Sequence, residues 1–147
     1  MQKLSLMRPK WQSMDNVLFS IKPQYVEKIF SGEKCFEFRK KACKREVSRM
    51  IVYATKPIGR IVGEVVVSDV ITLPPEELWA ITSGRAGITY DKFKDYLDGN
   101  ELACAYCLEA PMMYSHPITL EMLGISCPPQ SFRYLSDKEY EKILSFK

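Results

Sequence analysis

Residues 21–41, IKPQYVEKIFSGEKCFEFRKK, constrain the fold more than any other stretch of the chain. They read as a short helix, a glycine stop and an extended strand in immediate succession. Tyr25, Val26, Ile29 and Phe30 recur at helical spacing and give one apolar stripe over two turns. Pro23 suits a first helical turn and Gly32 the residue just past an end, which predicts a helix over 23–31. The run Cys35-Phe36-Glu37-Phe38-Arg39 then alternates. In an extended chain Phe36 and Phe38 face one way, and Cys35, Glu37 and Arg39 the other. A strand with one aromatic face and one Glu–Arg face predicts a sheet that is packed on one side and lines a polar cleft on the other.

The rest of the chain supplies more strands than helices. Residues 16–21, 49–54 and 60–73 read as strands, and the β-branched run 60–73 (RIVGEVVVSDVITL) predicts a central one. Within it Gly63 marks a bulge or a close backbone approach. Residues 40–47 form a basic loop or edge segment, and 55–59, with Pro57 and Gly59, a turn. Pro74-Pro75 ends the long strand, and helices are predicted at 76–82 and 90–97, the second capped by Thr89. Residues 102–110 return to strand and stop at Pro111; a short element at 118–123, a strand at 132–135 and a helix at 136–144 complete the chain. Ser136 and Glu139 stand at capping-box spacing. Strands broken by short helices, without regular βαβ alternation, predict an α+β chain: a small, mostly antiparallel β-barrel with short helices at its rim. The length of 147 residues fits one domain over 16–147, preceded by a loosely ordered arm at 1–15.

The net charge is +3, yet residues 22–60 carry 11 Lys/Arg against 4 Asp/Glu. Such asymmetry points to an anionic partner, nucleic acid before membrane, since no basic amphipathic helix accompanies it. A plain solvated basic face is the competing explanation. No run approaches the roughly 20 apolar residues of a membrane span, and the first residues lack the apolar core of a signal peptide. Five cysteines in no small-scaffold spacing fit free thiols in the cytoplasm.

Familiar catalytic templates are missing: there is no GxSxG, no Walker glycine loop and no dinucleotide fingerprint. Cys104-x-x-Cys107 lies in a strand pattern that puts its sulfurs on opposite faces, and no second pair completes a zinc site, so no metal and no cofactor is expected. His116, the one histidine, sits in a Pro-rich loop and reads as a surface residue. What remains is the charged set Lys22, Lys34, Glu37, Arg39 and Lys56. Glu37 and Arg39 share a strand face, close enough to pair or to recruit one ligand. Arg39 is placed to fork onto a phosphate or base edge, with Glu37 accepting from an amine or fixing the arginine. The alternative is a structural ion pair bracing a barrel opening.

Four blocks carry a resemblance: Ser20-Ile21-Lys22-Pro23; Gly32-x-Lys34-x-x-Glu37-x-Arg39-Lys40; Tyr53-Ala54-Thr55-Lys56-Pro57-Ile58-Gly59 followed by Ile61-Val62-Gly63-Glu64; and Pro128-Pro129-Gln130-Ser131-Phe132-x-Tyr134. Together they resemble the ASCH domain of the PUA-like superfamily. The resemblance implies a small β-barrel with flanking helices, a cleft beside the helix that follows the first strand, and binding of RNA or a modified nucleotide. One branch of that family hydrolyses acetylated cytidine with a Lys, a Thr three residues later and a distant Glu. Lys34 falls at the Lys position, but Glu37 occupies the Thr position and no Glu counterpart stands near Arg85. Nuclease activity has also been proposed in the family, for which Lys56, Tyr53 and Ser131 are candidates alongside Lys34.

The expected function is an RNA- or nucleotide-binding module, a regulator of transcription or translation. Its contact set is Lys22, Lys34, Glu37, Arg39, Lys40, Lys41, Lys44, Arg45, Thr55 and Lys56. The alternatives are an RNA-processing or modified-nucleoside enzyme (ribonuclease or acetylcytidine amidohydrolase-like) and a protein-interaction domain with an architectural Glu–Arg pair.

Overall fold

A computed structural model describes residues 15–147, so the predicted arm at 1–15 lies almost entirely outside the described residues. The elements run β1 (Asp15–Ile21), α1 (Pro23–Ser31), β2 (Phe36–Arg39), β3 (Val47–Ala54), β4 (Arg60–Leu73), α2 (Pro75–Thr82), α3 (Tyr90–Tyr96), β5 (Ala103–Ile118), β6 (Phe132–Tyr134) and α4 (Asp137–Phe146). Single 3-10 turns occupy Ser83–Arg85 and Glu121–Leu123. The strands form one six-stranded sheet in the order β2-β5-β4-β3-β1-β6. Only β1 and β3 pair in parallel; the other pairs are antiparallel.

The sheet curls. Phe19 on β1 and Tyr106 on β5 stand three positions apart in the strand order, yet their rings meet edge to face at 5.2 Å. That contact is possible only across the hollow of a half-barrel, so the face carrying Val17, Phe19, Met50, Val52 and Tyr106 is the inner one. Helix α1 plugs it with Val26 and Ile29, and ends where Gly32 turns left-handed (φ 88°). On the outer face Leu18, Ile51, Ile61 and Ile118 pack under Ile143 of α4. A third cluster joins Phe38 to Leu78, Phe93 and Leu97 of the α2–α3 insertion. The capping box of α4 is present, with Ser136 accepting from the Glu139 amide at 3.1 Å.

One strand departs from its predicted course. β5 does not stop at Pro111 but continues to Ile118, pairing Met112 with Glu64 and Ile118 with Ile61. Beyond Leu108 it has no β2 residue beside it, so among the described residues that side is an edge and a proline there costs no ladder bond. Three register shifts along the β4–β5 pair, and Ala110 at φ 50°, absorb the remaining irregularity. Gly63 faces the tightest point. A Cβ there would stand 2.5 Å from the Met112 carbonyl oxygen and 2.7 Å from the Phe30 ring.

Because backbone closes one side of that space, Gly63→Ala should cost about 1–3 kcal/mol in urea unfolding. An unchanged midpoint would show that the two strands and Phe30 can part without penalty.

Candidate functional site

Alternation along β2 sends Phe36 and Phe38 toward the α3 cluster and Glu37 and Arg39 to the inner face. There the two charges meet the open seam of the half-barrel. β2 and β6 are the two ends of the sheet, and no backbone ladder joins them. Arg39 spans the gap. Its Nε and Nη2 lie 3.1 and 3.0 Å from Oε2 of Glu37. Nη2 also donates to the Ser20 carbonyl at 3.1 Å, and Nη1 to Oγ and the carbonyl of Ser131 at 2.9 and 3.4 Å. All three nitrogens of the guanidinium therefore donate to protein partners. Its flat face lies 4.9 Å from the Phe19 ring centroid.

Lys34 is folded inward from the chain that leads into β2 and is only 3% exposed. Its Nζ donates to the Ala86 carbonyl at 2.9 Å, stands 4.0 Å from Oε1 of Glu37, and lies over the Tyr25 and Phe38 rings at 5.3 and 5.0 Å. Burial holds its pKa below the ordinary lysine value; Glu37 opposes that shift, while Lys28 and Arg39 reinforce it. The segment that supplies Ala86 leaves no room to spare. Gly87 adopts φ 65°, and a Cβ on it would strike the Cβ and Cγ of Lys34. The Cys35 amide donates to Arg85 O at 2.9 Å, which ties the two stretches together.

These groups form the inner end of a cleft of about 960 Å³. Ser20, Lys22, Gln24 and Tyr25 line one side, β2 with Lys40 and Lys41 the next, and Gln130, Ser131 and Phe132 the far side of the seam. Helix α3 closes the mouth. Phe93 is buried and pins it, and Lys92, Asp95 and Tyr96, spaced three and four apart, reach the cleft with Asn100 and Ile88. Lys40 Nζ sits 5.3 Å over the Tyr96 ring. Burial raises the pKa of both Tyr25 and Tyr96.

Of the predicted contact set, Lys22, Lys34, Glu37, Arg39, Lys40 and Lys41 converge on this cleft, together with the nuclease candidate Ser131. Lys44 and Arg45 stand outside it, where their amides donate to the Tyr134 hydroxyl at 3.0 and 3.3 Å. The Arg45 guanidinium stacks 4.4 Å over that ring and lies 3.8 Å from Asp15. Thr55 and Lys56 belong to the turn after β3; the Thr55 amide donates to Ile21 O at 3.0 Å, so the turn abuts the cleft without lining it. Tyr53 is buried in the outer-face cluster. Sequence reading missed Tyr25, Gln130 and the whole contribution of α3, together with Gly87. The helix itself was visible; which wall it would build was not.

Cys104 and Cys107 point to different surroundings. Cys104 is buried, donates to Arg39 O at 3.3 Å and has its pKa pushed up to about 11 by burial, whereas Cys107 is half-buried. Among the described residues no three His, Cys, Asp or Glu side chains gather to hold a metal ion. No helix among them is long and apolar enough to cross a membrane.

Residues 19–122 match the family model of the ASCH domain. The chain belongs to the ASCH family. It is 29% identical over 133 residues, 87% of its own length and 89% of the relative's, to a Zymomonas mobilis protein named ASCH domain-containing ribonuclease. It is also 25% identical over 125 residues to a large ribosomal subunit protein uL22 of Ureaplasma parvum, spanning 40% of that longer chain. The crystal structure of an ASCH protein from Zymomonas mobilis superposes with a TM-score of 0.83 at 28% identity, covering 89% of this chain and 94% of that one. Solved structures of a Tyr-to-Phe and a Ser-to-Ala variant of the Zymomonas mobilis protein match it at TM-scores of 0.83 and 0.84. The half-barrel, with four short helices among the described residues, is thus the ASCH, PUA-like architecture, as the sequence resemblance implied.

Lys34 gives the site a pH signature. Its native pKa is depressed, so between that value and the ordinary one the unfolded chain binds more protons, and stability rises with pH across the window. Compared by urea unfolding from roughly pH 7 to 10, wild type should gain on Lys34→Met as pH rises. A constant difference would mean that the amine is not desolvated.

Proposed function

We propose that this ASCH domain binds RNA, holding a single nucleotide or chain end in the cleft between α1, β2 and α3. The observation that carries the reading is the pairing of a cationic collar with an aromatic-lined interior. Lys22, Lys40, Lys41 and Lys92 ring the mouth, where an extended phosphate chain passes. Tyr25 and Tyr96 offer ring faces for a base, and Glu37 offers an acceptor for its edge. A volume near 960 Å³ accommodates a nucleotide with its water. The names of the two relatives, a ribonuclease and a ribosomal protein, support RNA as the polymer. Placed in the cytoplasm with its thiols reduced, such a module suits regulation of transcription or translation.

A second reading is hydrolysis of RNA. The Zymomonas mobilis relative is named a ribonuclease, and a tyrosine and a serine were chosen for replacement in its ASCH structures. In this chain Ser131 lines the cleft, and the Tyr53 hydroxyl reaches the turn that carries Lys56, 3.6 Å from where a Cβ on Gly59 would stand. The buried Lys34, whose amine is driven toward neutrality, is the other candidate base.

Binding to a short single-stranded oligoribonucleotide should weaken steeply with salt. Lys40→Ala, Lys41→Ala and Lys92→Ala should each lower the slope of log K against log[salt] by about 0.7, one phosphate apiece. Salt-independent binding, or none, sinks the RNA reading.

Incubating end-labelled RNA, and separately acetylated cytidine, with wild type, Tyr53→Phe and Ser131→Ala tests the second. Product that both variants fail to make establishes hydrolysis; intact substrate beside saturable binding leaves a module that binds only.

A further inference from the structure

We infer that Arg39 is a positioning residue: it fixes Glu37 and Ser131 at the inner end of the cleft and does not itself touch the ligand. This deepens the RNA-binding reading above and rests on it for its affinity measurements. The warrant is the donor inventory. All three guanidinium nitrogens of Arg39 are engaged: four hydrogen bonds run to Glu37, Ser20 and Ser131, and Nη2 also lies 3.0 Å from Oε2 of Glu37. A phosphate or base edge could take one only by breaking a bond across the seam.

The consequence for the neighbours is directional. Ser131 Oγ accepts from Arg39 Nη1, so the hydroxyl's own proton is left to be donated, and the cleft is where Ser131 opens. Glu37 Oε2 accepts from Arg39 Nε and lies 3.0 Å from Nη2, while among the described residues Oε1 meets only Lys34, at 4.0 Å. Arg39 therefore sets one donor and one acceptor, Ser131 O–H and Glu37 Oε1, on opposite walls of the cleft. The ligand these suit carries an oxygen acceptor and an N–H donor on one rigid frame, as a nucleobase edge or a base with its phosphate does.

Two kinds of measurement separate this role from direct contact. In hydrogen–deuterium exchange, Arg39→Ala should speed exchange in 130–134 and at the Ser20 amide, because the seam loses its tie. Exchange unchanged there overturns the assignment whether or not RNA binds. In RNA titrations, Arg39→Ala should lose roughly tenfold in affinity, as for two hydrogen bonds left unplaced, with the salt slope of wild type. A slope that falls as in Lys40→Ala means a phosphate contact and overturns it. In an E37Q/S131A background, Arg39→Ala should cost little more, since its effect runs through those two groups. A full additive loss overturns it. Should Arg39→Ala fail to fold, Arg39→Lys keeps the charge but not the bonds of the guanidinium fork, and the same slope and background comparisons apply. Wild-type protein without RNA affinity refutes the RNA reading and leaves the exchange result to decide the seam.

Discussion

The half-barrel is a sheet that stops short of closing, and the guanidinium of Arg39 occupies the gap. Its ends, β2 and β6, have no ladder between them, so the inner face would be open to water along the whole seam. Arg39 and Glu37 have side chains only 11% exposed, and taking two such charges out of water costs several kcal/mol each. The cost is offset because the geometry is complete: every guanidinium nitrogen donates, Oε2 of the carboxylate lies against two of them, and Phe19 covers the guanidinium plane. A buried pair of this kind is a weak source of net stability but a strong source of register. The β1–β6 pairing already sets Ser20 beside Ser131; an apolar residue would fill the space without saying where β2 must lie against them, and the arginine says so.

The molecule has a second buried carboxylate, and comparing the two explains why only one is a site. Glu64 on β4 accepts from the hydroxyls of Tyr114 at 2.7 Å and Tyr140 at 3.2 Å, with Arg49 at 3.5 Å and Lys147 at 3.8 Å. Two of these partners, Tyr140 and Lys147, belong to α4 and the residue after it, so the cluster fastens the last helix to the outer face. Burial and the carboxylate together raise the Tyr114 pKa, which keeps the phenol protonated and donating. Phenols and cations crowd Glu64 from both sides, while Glu37 keeps one oxygen facing a cleft. The same chemistry serves as a rivet where it is surrounded and as a site where one side is left open.

What could be read in the sequence was whatever local physics decides. Helix α1 and strand β4 fall where Pro23, Gly32 and the run of β-branched residues put them, and Gly63 has the close contact its place in a central strand implied. The two faces of β2 also followed from alternation alone. The course of β5 did not, because Pro111 reads as a stop unless β2 is known to begin only at Phe36, opposite Cys107, and to leave β5 without a β2 partner beyond it. The wall made by α3 was equally hidden. Nothing near Lys92 or Tyr96 says that Phe93 docks them beside a strand more than fifty residues earlier. Nor could counting charges show that Arg39 is fully engaged, since its partner Ser131 lies 92 residues away.

That engagement redistributes the work of the positive charge. Of the cations that looked alike in the sequence, Arg39 and Lys34 are consumed internally, by the seam and by the Ala86 carbonyl. The rim lysines Lys22, Lys40, Lys41 and Lys92 remain exposed. The attractive field at the mouth is thus long-ranged and indifferent to sequence, as phosphate contacts are. Any discrimination must come from the inner end, where water is scarce and an unmatched donor or acceptor is penalised by its full desolvation. Glu37 sits between two fixed cations and so keeps its acceptor role without attracting a further cation strongly. The collar gathers and the interior selects, and the arginine that separates the two functions belongs, by its bonds, to the scaffold.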